Sequence, residues 1–401
     1  MAISNQERDH PSSPERGQAR VRVLIVDDSA LMRRLLTDLL SSTPEIEIVG
    51  TARDGREAVL QAGRLKPDVI TLDVEMPEVS GLDALPALLA VHEAPVVMVS
   101  ALTQEGADVT LQALELGAVD FMAKPERNQF AEMRASRDLL VAKILAASQS
   151  QVRRPRRATR TSTGPSLGTS LLKDRSSTHL ITRSTTALAP LTPITAVTTT
   201  TSAMCIVIGI STGGPQALSQ IFPLLASPLP PILVVQHMPA QFTGIFAERL
   251  NRYSTVPVKH AEEGDPVLPD RILIAPGGQH MRLTGHPPRV RVALSDQAPV
   301  SGHRPSIDVL FQSAAEAYQA ATIGILMTGM GRDGVSGCKG ILAAGGLTLG
   351  QDEATSVVYG MNKAAFLEDA IKAQFGLEEL PHIIRNIAAF RAELESSHPS
   401  D

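Results

Sequence analysis

Residues 21–40 read VRVLIVDDSALMRRLLTDLL, and this stretch decides the fold of the first half of the chain. Apart from Arg22, its first six residues form an apolar run rich in β-branched residues that is typical of a buried strand. Two aspartates follow, and then Ser29, a residue type that caps helices. Leucines and Met32 then recur at helical spacing. A strand that turns directly into a helix is the first half of a βαβ unit, so the stretch predicts a parallel sheet.

The same alternation of apolar runs and helical patterns continues to about residue 147 and resumes after residue 203. In the first part we predict a flavodoxin-like, five-stranded parallel sheet, with strands at residues 21–26, 46–51, 68–72, 95–100 and 118–122. In the second part, the apolar runs lie at residues 205–209, 232–235, 271–275, 324–327 and 346–349. They predict a second doubly wound, mostly parallel α/β domain.

The segment between these two parts differs in composition. It is rich in Ser, Thr and Pro, and residues 151–185 hold eight Lys or Arg against one Asp. Such a segment buries too little apolar surface to fold, which predicts a flexible linker. We therefore divide the chain of 401 residues into a disordered tail (1–20), a first domain (21–147), a linker (148–202), a second domain (203–393) and a short tail (394–401).

Composition excludes several classes of function. A net charge of −5 and a pI near 6.1 give no bias toward nucleic acid, and a chain with no Trp and 3% aromatics offers few stacking platforms. The only cysteines, Cys205 and Cys338, do not make a disulfide scaffold or a thiolate metal cage. The first twenty residues are polar, and no apolar run approaches the length of a membrane span. We expect a cytoplasmic protein that does not insert into membranes.

Five polar residues fall where predicted strands of the first domain end: Asp27, Asp28, Asp73, Ser100 and Lys124. The carboxyl ends of parallel strands meet at one edge of a sheet, so we expect these side chains to converge. Clustered carboxylates repel one another and need a cation, and Mg²⁺ suits hard oxygen ligands. Asp73 would then accept a phosphoryl group while Lys124 and Ser100 bind its oxygens. Each aspartate taken singly is also explained as a helix cap, but that alternative does not explain the whole set.

Residues 21–147 resemble a response-regulator receiver domain through VDDS (26–29), DVEMP (73–77), VSA (99–101) and AKP (123–125). The resemblance implies that a histidine kinase phosphorylates Asp73. It also implies Mg²⁺ held by Asp28, Asp73 and the backbone carbonyl of Glu75, with Asp27 just outside the ligand set.

The receiver resemblance further implies a switch made of Ser100 and Phe121. In the family, a hydroxyl at the first position moves toward the phosphate and an aromatic ring at the second turns inward.

The second domain opens with GISTGGP, residues 209–215, directly after its first apolar run. Three interpretations compete: the nucleophile elbow of a hydrolase, a phosphate cradle at a helix N-terminus, or a tight turn that needs glycine. The best histidine is His237 in QHMP and the best acid is Asp333 in TGMGRDG. Both also follow predicted strands, so they can meet Ser211 in one crevice. The order Ser, His, Asp is not that of α/β-hydrolases.

Residues 203–393 resemble the carboxyl-terminal domain of the chemotaxis protein methylesterase CheB family. The resemblance is carried by GISTGGP (209–215), QHMP (236–239), APGGQH (275–280), HRPSID (303–308), MTGMGRDG (327–334) and QDEATS (351–356). It implies that Ser211 is the nucleophile, His237 its general base and Asp333 the carboxylate that orients His237. The backbone N–H of Met330 falls where the family places an oxyanion donor. The two remaining motif histidines are interpreted as structural: His280 and His303.

Together the two resemblances imply a phosphorylation-activated protein-glutamate methylesterase. It would demethylate glutamyl methyl esters on methyl-accepting chemoreceptors during chemotaxis adaptation, releasing methanol, and would also deamidate glutamine. The receiver would cover the hydrolase crevice until Asp73 is phosphorylated, and the hydrolase domain would need no cofactor. Two other classes stay open on sequence: a non-catalytic output module that binds another protein, and a DNA-binding output. Residues 203–393 have the wrong length and pattern for a helix-turn-helix.

Overall fold

The computed structural model describes residues 20–100, 103–124, 137–150, 204–387 and 389, and these form two α/β domains. The strands of the first domain are β1 (Val21–Val26), β2 (Ile46–Ala52), β3 (Val69–Asp73), β4 (Val96–Ser100) and β5 (Asp120–Ala123). They pair in parallel in the order β2-β1-β3-β4-β5. The predicted five-stranded flavodoxin-like sheet is confirmed.

Helices cover both faces of this sheet: α1 (Ala30–Ser41), α2 (Gly55–Leu65), α3 (Gly81–Val91), α4 (Gln104–Leu116) and α5 (Arg137–Ser148). Ser29 caps α1 as expected, because the Met32 N–H donates to its hydroxyl at 3.4 Å. Successive residues of β1 point to opposite faces, with Val23 and Ile25 in one apolar cluster and Leu24 in another. Burial on both faces explains why β1 is continuously apolar from Val23 to Val26.

The second domain has a seven-stranded parallel sheet in the order β14-β13-β12-β6-β7-β9-β8. Its strands are β6 (Cys205–Ile210), β7 (Ile232–Gln236), β8 (Val258–His260), β9 (Ile272–Ile274), β12 (Thr322–Leu326), β13 (Leu347–Gln351) and β14 (Ala373–Phe375). An antiparallel hairpin of β10 (His280–Thr284) and β11 (Arg291–Ser295) lies apart from it. The doubly wound, mostly parallel prediction is confirmed, although the sequence did not predict β8, β14 or the hairpin.

The helices of the second domain are α6 (Gly214–Ile221), α7 (Ala240–Tyr253), α8 (Ile307–Tyr318), α9 (Val335–Ala343), α10 (Met361–Leu367) and α11 (Leu380–Arg385). The strand order changes direction at β6, which pairs with β7 on one side and with β12 on the other. In sheets of this kind a crevice opens at such a point, outside the carboxyl ends of the strands.

The two domains pack against each other through an apolar interface. One cluster of buried side chains includes Leu111 and Leu114 of α4 together with Leu218 of α6 and Phe242 of α7. No helix in the described ranges has the length and apolar character of a membrane span. Nearly all of the predicted tails and linker lies outside the described residues, so the domain boundaries stay predictions.

Candidate active site and phosphoacceptor site

The crevice of the second domain brings together the loops that carry the three predicted hydrolytic residues. Ser211 directly follows β6, His237 directly follows β7, and Asp333 lies in the loop after β12. The backbone ties these loops to one another, since the Ser211 N–H donates to Thr328 O at 2.9 Å and the His237 N–H donates to Ile210 O at 3.1 Å. The interpretation of GISTGGP as a turn that presents a serine agrees with this position.

His237 and Asp333 form a hydrogen-bonded pair, with His237 Nε2 2.8 Å from Asp333 Oδ2. Asp333 is 0% exposed and accepts three further hydrogen bonds, from the Ser306 hydroxyl at 2.7 Å and from the N–H groups of Ile307 at 2.8 Å and Asp308 at 3.1 Å. The carboxylate therefore caps the N-terminus of α8, where the helix dipole favours negative charge. Burial opposes ionisation, but the hydrogen bond from His237 and these donors hold the pKa of Asp333 below its ordinary value.

This pairing fixes the tautomer of His237. A carboxylate only accepts, so Nε2 carries the proton and Nδ1 carries the lone pair. Within the described residues His237 Nδ1 is buried and has no hydrogen-bond partner, so its lone pair is not engaged by Ser211. The structure thus joins His237 to Asp333 directly, and brings Ser211 to the same crevice without a Ser211–His237 hydrogen bond. Such bonds are often long before substrate binds.

A glycine places the loop after β12 against the serine. A Cβ built on Gly329 would lie 2.6 Å from Ser211 Cβ and 2.4 Å from Met361 Cε, so only glycine fits here. Met330 follows directly. Its N–H donates to no acceptor in the described parts of the chain, so this group is available one residue after the glycine that approaches Ser211. A free backbone N–H next to a nucleophile is the arrangement that an oxyanion hole needs.

His303 lies flat against His237, with ring centroids 3.8 Å apart and planes 8° apart. Atoms of His237, His303 and Asp333 also approach within 4.8 Å of one another, as metal ligands do. However, stacked rings direct their lone pairs along parallel planes. Both nitrogens then cannot reach one ion at about 2.0–2.1 Å, so this cluster does not fit a metal.

In the first domain the structure brings the acidic cluster together. Lys124 Nζ lies 2.6 Å from Asp27 Oδ2 and 2.7 Å from Asp73 Oδ2. Oxygens of Asp27, Asp28 and Asp73 all lie within 4.8 Å of one another, and the Glu75 N–H donates to Asp73 Oδ1 at 3.3 Å. Burial raises the pKa of Asp73 to about 6 although Lys124 opposes this rise. The all-oxygen donor set and the solvent-exposed Asp28 fit Mg²⁺ with water ligands.

The two predicted switch residues lie on neighbouring strands. The Ser100 hydroxyl donates to Gly106 O of α4 at 3.3 Å. Phe121 is 4% exposed, and its ring contacts the Phe242 ring of the second domain at a centroid distance of 4.4 Å. The aromatic member of the pair is therefore turned inward and forms part of the domain interface.

A polar contact joins the receiver to the residue after Ser211. The Thr212 hydroxyl donates to Asp120 Oδ2 at 2.5 Å, and the other oxygen of Asp120 accepts from Lys143 Nζ of α5 at 2.7 Å. Both Thr212 and Asp120 are buried. The first domain therefore contacts the loop that carries Ser211.

Further from the crevice, Arg249 of α7 forms ion pairs with two carboxylates of α4. Its Nε and Nη2 each lie 2.6 Å from an oxygen of Glu115, and Nη1 lies 3.1 Å from Asp108 Oδ1. Gln216 of α6 donates to Leu114 O and Ala118 O at 2.6 and 2.7 Å. These contacts join the two domains in the arrangement that the structure shows, which we call closed.

Comparison with known proteins identifies both domains. A family model described as CheB methylesterase matches residues 206–384, and one described as response regulator receiver domain matches residues 23–134. A protein-glutamate methylesterase/protein-glutamine glutaminase of Pyrococcus horikoshii is 40% identical over 366 residues, which cover 91% of this chain and 93% of the relative. The chain belongs to this methylesterase family.

Other members of the methylesterase family are similarly close. A protein of the same name from Symbiobacterium thermophilum is 43% identical over 348 residues, which cover 86% of this chain and 91% of that relative. Among solved structures, the CheB methylesterase catalytic domain of Thermotoga maritima is 37% identical, with a TM-score of 0.45, and covers 46% of this chain and 98% of its own.

Two residues of the candidate active site were not predicted from the sequence. His303 was interpreted as structural, yet its ring contacts His237. Ser306 precedes α8 and has the signature of a helix cap, but its hydroxyl donates to Asp333 instead. A signal was present, since both lie in HRPSID. Only the folded chain shows that this motif faces a loop 27 residues further along.

Proposed function

We propose that this chain is a phosphorylation-controlled protein-glutamate methylesterase that also deamidates glutamine, with Ser211, His237 and Asp333 as its catalytic triad. The observation that carries the proposal is the His237–Asp333 pair of 2.8 Å in the crevice that also holds Ser211. A non-catalytic output module does not require a buried carboxylate that accepts four hydrogen bonds and fixes one tautomer of a histidine beside a serine.

The chemistry follows from the tautomer. Ser211 Oγ attacks the carbonyl carbon of the glutamyl methyl ester while His237 Nδ1 takes the hydroxyl proton. The negative charge that develops on the carbonyl oxygen is stabilised by the Met330 N–H, an interaction of roughly 3–4 kcal/mol in comparable sites. The C–O bond to the methoxy group then breaks, and His237 returns the proton so that methanol leaves.

Water completes the cycle. His237 Nδ1 removes a proton from a water molecule, whose oxygen attacks the acyl-enzyme ester. The second tetrahedral intermediate collapses as the bond between the acyl carbon and Ser211 Oγ breaks, and His237 returns its proton to Oγ, which leaves free glutamate and the Ser211 hydroxyl. A glutamine side chain follows the same path with ammonia as the leaving group. Asp333 keeps its charge throughout and stabilises the imidazolium of His237, because its four donors hold it ionised.

Phosphorylation of Asp73 by a histidine kinase is the proposed control. Asp28, Asp73 and the backbone carbonyl of Glu75 would hold Mg²⁺, which neutralises charge on the incoming phosphoryl group. The closeness of Lys124, Asp73 and Asp27 supports this assignment. Ser100 and Phe121 are the proposed switch, and the methyl-accepting chemoreceptor is the proposed substrate. A cytoplasmic location stays a prediction.

Methanol release from a methylated receptor tests the proposal. Ser211→Ala should reduce release to background both with and without a small-molecule phosphodonor. Ser254→Ala is the matched control, because Ser254 lies at the carboxyl end of α7, the end away from His237. Full activity in Ser211→Ala would exclude the nucleophile assignment. Absence of release from the unaltered chain with every methylated receptor offered would favour the non-catalytic output module.

A further inference from the structure

A short turn presents the imidazole of His303 to the active site. Val300 and His303 exchange two backbone hydrogen bonds, of 3.1 and 2.9 Å. Ser301 and Gly302 between them adopt the left-handed region, with φ of 52° and 79°. His303 Nδ1 lies 2.8 Å from Ser301 O, so Nδ1 donates and the proton of the neutral ring is on this nitrogen. The backbone of the turn therefore fixes both the position and the tautomer of the ring.

The ring of His303 is neutral. Burial, together with the neighbouring His237, lowers the pKa of His303 to about 4. Three groups bear electrostatically on it: His237 and Asp333 in the crevice, and Lys143 from α5 of the receiver. A neutral ring does not repel the imidazolium that forms on His237 during catalysis.

His237 needs such a neighbour because only one edge of its ring is held. Nε2 is bonded to Asp333, whereas Nδ1 has no partner in the described structure. The torsion between Cβ and the ring of a histidine has a broad energy profile, so one hydrogen bond leaves the ring free to tilt. The face-to-face contact with His303, at 3.8 Å and 8°, removes this freedom.

We propose that His303 is a positioning residue of the hydrolase. Its flat, neutral ring fixes the plane of His237 so that Nδ1 faces Ser211, and it stabilises the imidazolium by contact between the positive charge and the aromatic face. The inference rests on the proposed triad, since it assigns His303 a role through His237. It does not require either nitrogen of His303 to touch substrate.

Two variants of similar volume test whether the face of the His303 ring or its nitrogens are needed for the effect on His237. His303→Phe keeps a flat aromatic face, whereas His303→Leu fills the space without one. In the full chain with phosphodonor, His303→Leu should lower kcat for methanol release roughly tenfold, as expected for loss of a cation–π contact and of ring order, with little change in KM. His303→Phe should stay within about threefold of the unaltered chain.

A second measurement does not depend on activity. In the Ser211→Ala background, NMR relaxation of the His237 ring should show one ordered ring with His303 or Phe at this position, and increased ring motion with Leu. Unchanged kcat and unchanged ring order of His237 in His303→Leu would overturn the proposal. It would also be overturned if His303→Phe were folded but as impaired as His303→Leu, because the nitrogens of His303 would then be what matters.

The two proposals fail in different ways. If Ser211→Ala retained activity, the triad would be wrong, while the NMR comparison would still report whether His303 orders His237. If the triad were correct but His303 had no positioning role, Ser211→Ala would be inactive and His303→Leu would behave like the unaltered chain.

Discussion

Replacing Arg249 with alanine is expected to raise methanol release by the unphosphorylated chain about tenfold. Arg249 is on the hydrolase side of the domain interface, and both nitrogens of its fork bind Glu115 of α4 at 2.6 Å. Its side chain is 12% exposed, so solvent screens this pair less than a surface ion pair. The variant removes a contact that exists only while the domains are closed.

The size of the effect follows from the geometry. A two-point hydrogen-bonded contact between charged groups contributes about 1–2 kcal/mol when one partner is largely buried and the other is partly exposed. Each ~1.4 kcal/mol changes an equilibrium constant tenfold. If only a small fraction of the protein is open without phosphorylation, that fraction and the basal rate both rise by this factor. The maximal rate with phosphodonor should change little, because Arg249 does not touch the crevice.

The assay compares basal and phosphodonor-stimulated methanol release from one methylated receptor. Arg252→Ala is the matched control, because it removes the same charge from the same helix at an exposed position. The reciprocal exchange, Arg249→Glu with Glu115→Arg, should restore a low basal rate. A folded Arg249→Ala protein whose basal rate equals that of Arg252→Ala would refute the view that this interface restrains the enzyme.

Three further predictions concern the two sites. Asp73→Asn should keep the basal rate but lose stimulation by phosphodonor. Chelation of Mg²⁺ should abolish stimulation of the unaltered chain in the same way. Normal stimulation of Asp73→Asn would contradict the phosphoacceptor assignment. Asp333→Asn should lower kcat by roughly 10³–10⁴, as for other triads that lose the group fixing the histidine tautomer, and a loss below tenfold would remove Asp333 from the triad. The pKa of His303 is lowered from 6.5 to about 4 in the folded chain, so the unfolded chain binds this proton more readily and stability falls as the pH falls through that window. His303→Phe should therefore show a flatter dependence of the denaturant midpoint on pH between 6.5 and 4, and identical slopes would argue against a buried neutral His303.

The parallel strands that flank the crevice were predictable because their signal is local. In β6 every residue of the apolar run is buried, and in β1 the four residues Val23–Val26 are buried, so the run itself reveals the strand. β8 and β14 are three residues long, which is too short for any periodicity. The hairpin of β10 and β11 alternates buried and exposed residues only in part, so its pattern was equally weak.

The candidate sites were predictable to the extent that each residue lies at the end of a strand. Ser211, His237 and Lys124 all do, and the topology of a parallel sheet brings such positions together. His303 lies on a turn outside both sheets, and no local rule connects it with His237. The contact of Thr212 with Asp120 joins residues 92 positions apart in different domains, so it depends on how the domains pack.

Strand β5 connects the two sites of the chain. At its end, Lys124 binds Asp73, 2.7 Å away, and at its start Asp120 holds the Thr212 hydroxyl beside Ser211. Phe121 lies between them and packs on Phe242. Phosphorylation of Asp73 changes the charge that Lys124 faces, and a strand of four residues with a buried face moves as a unit more readily than it bends. A shift of β5 would therefore disturb Phe121 and Asp120 together, so on the proposed function the switch and the restraint on the nucleophile loop belong to the same element.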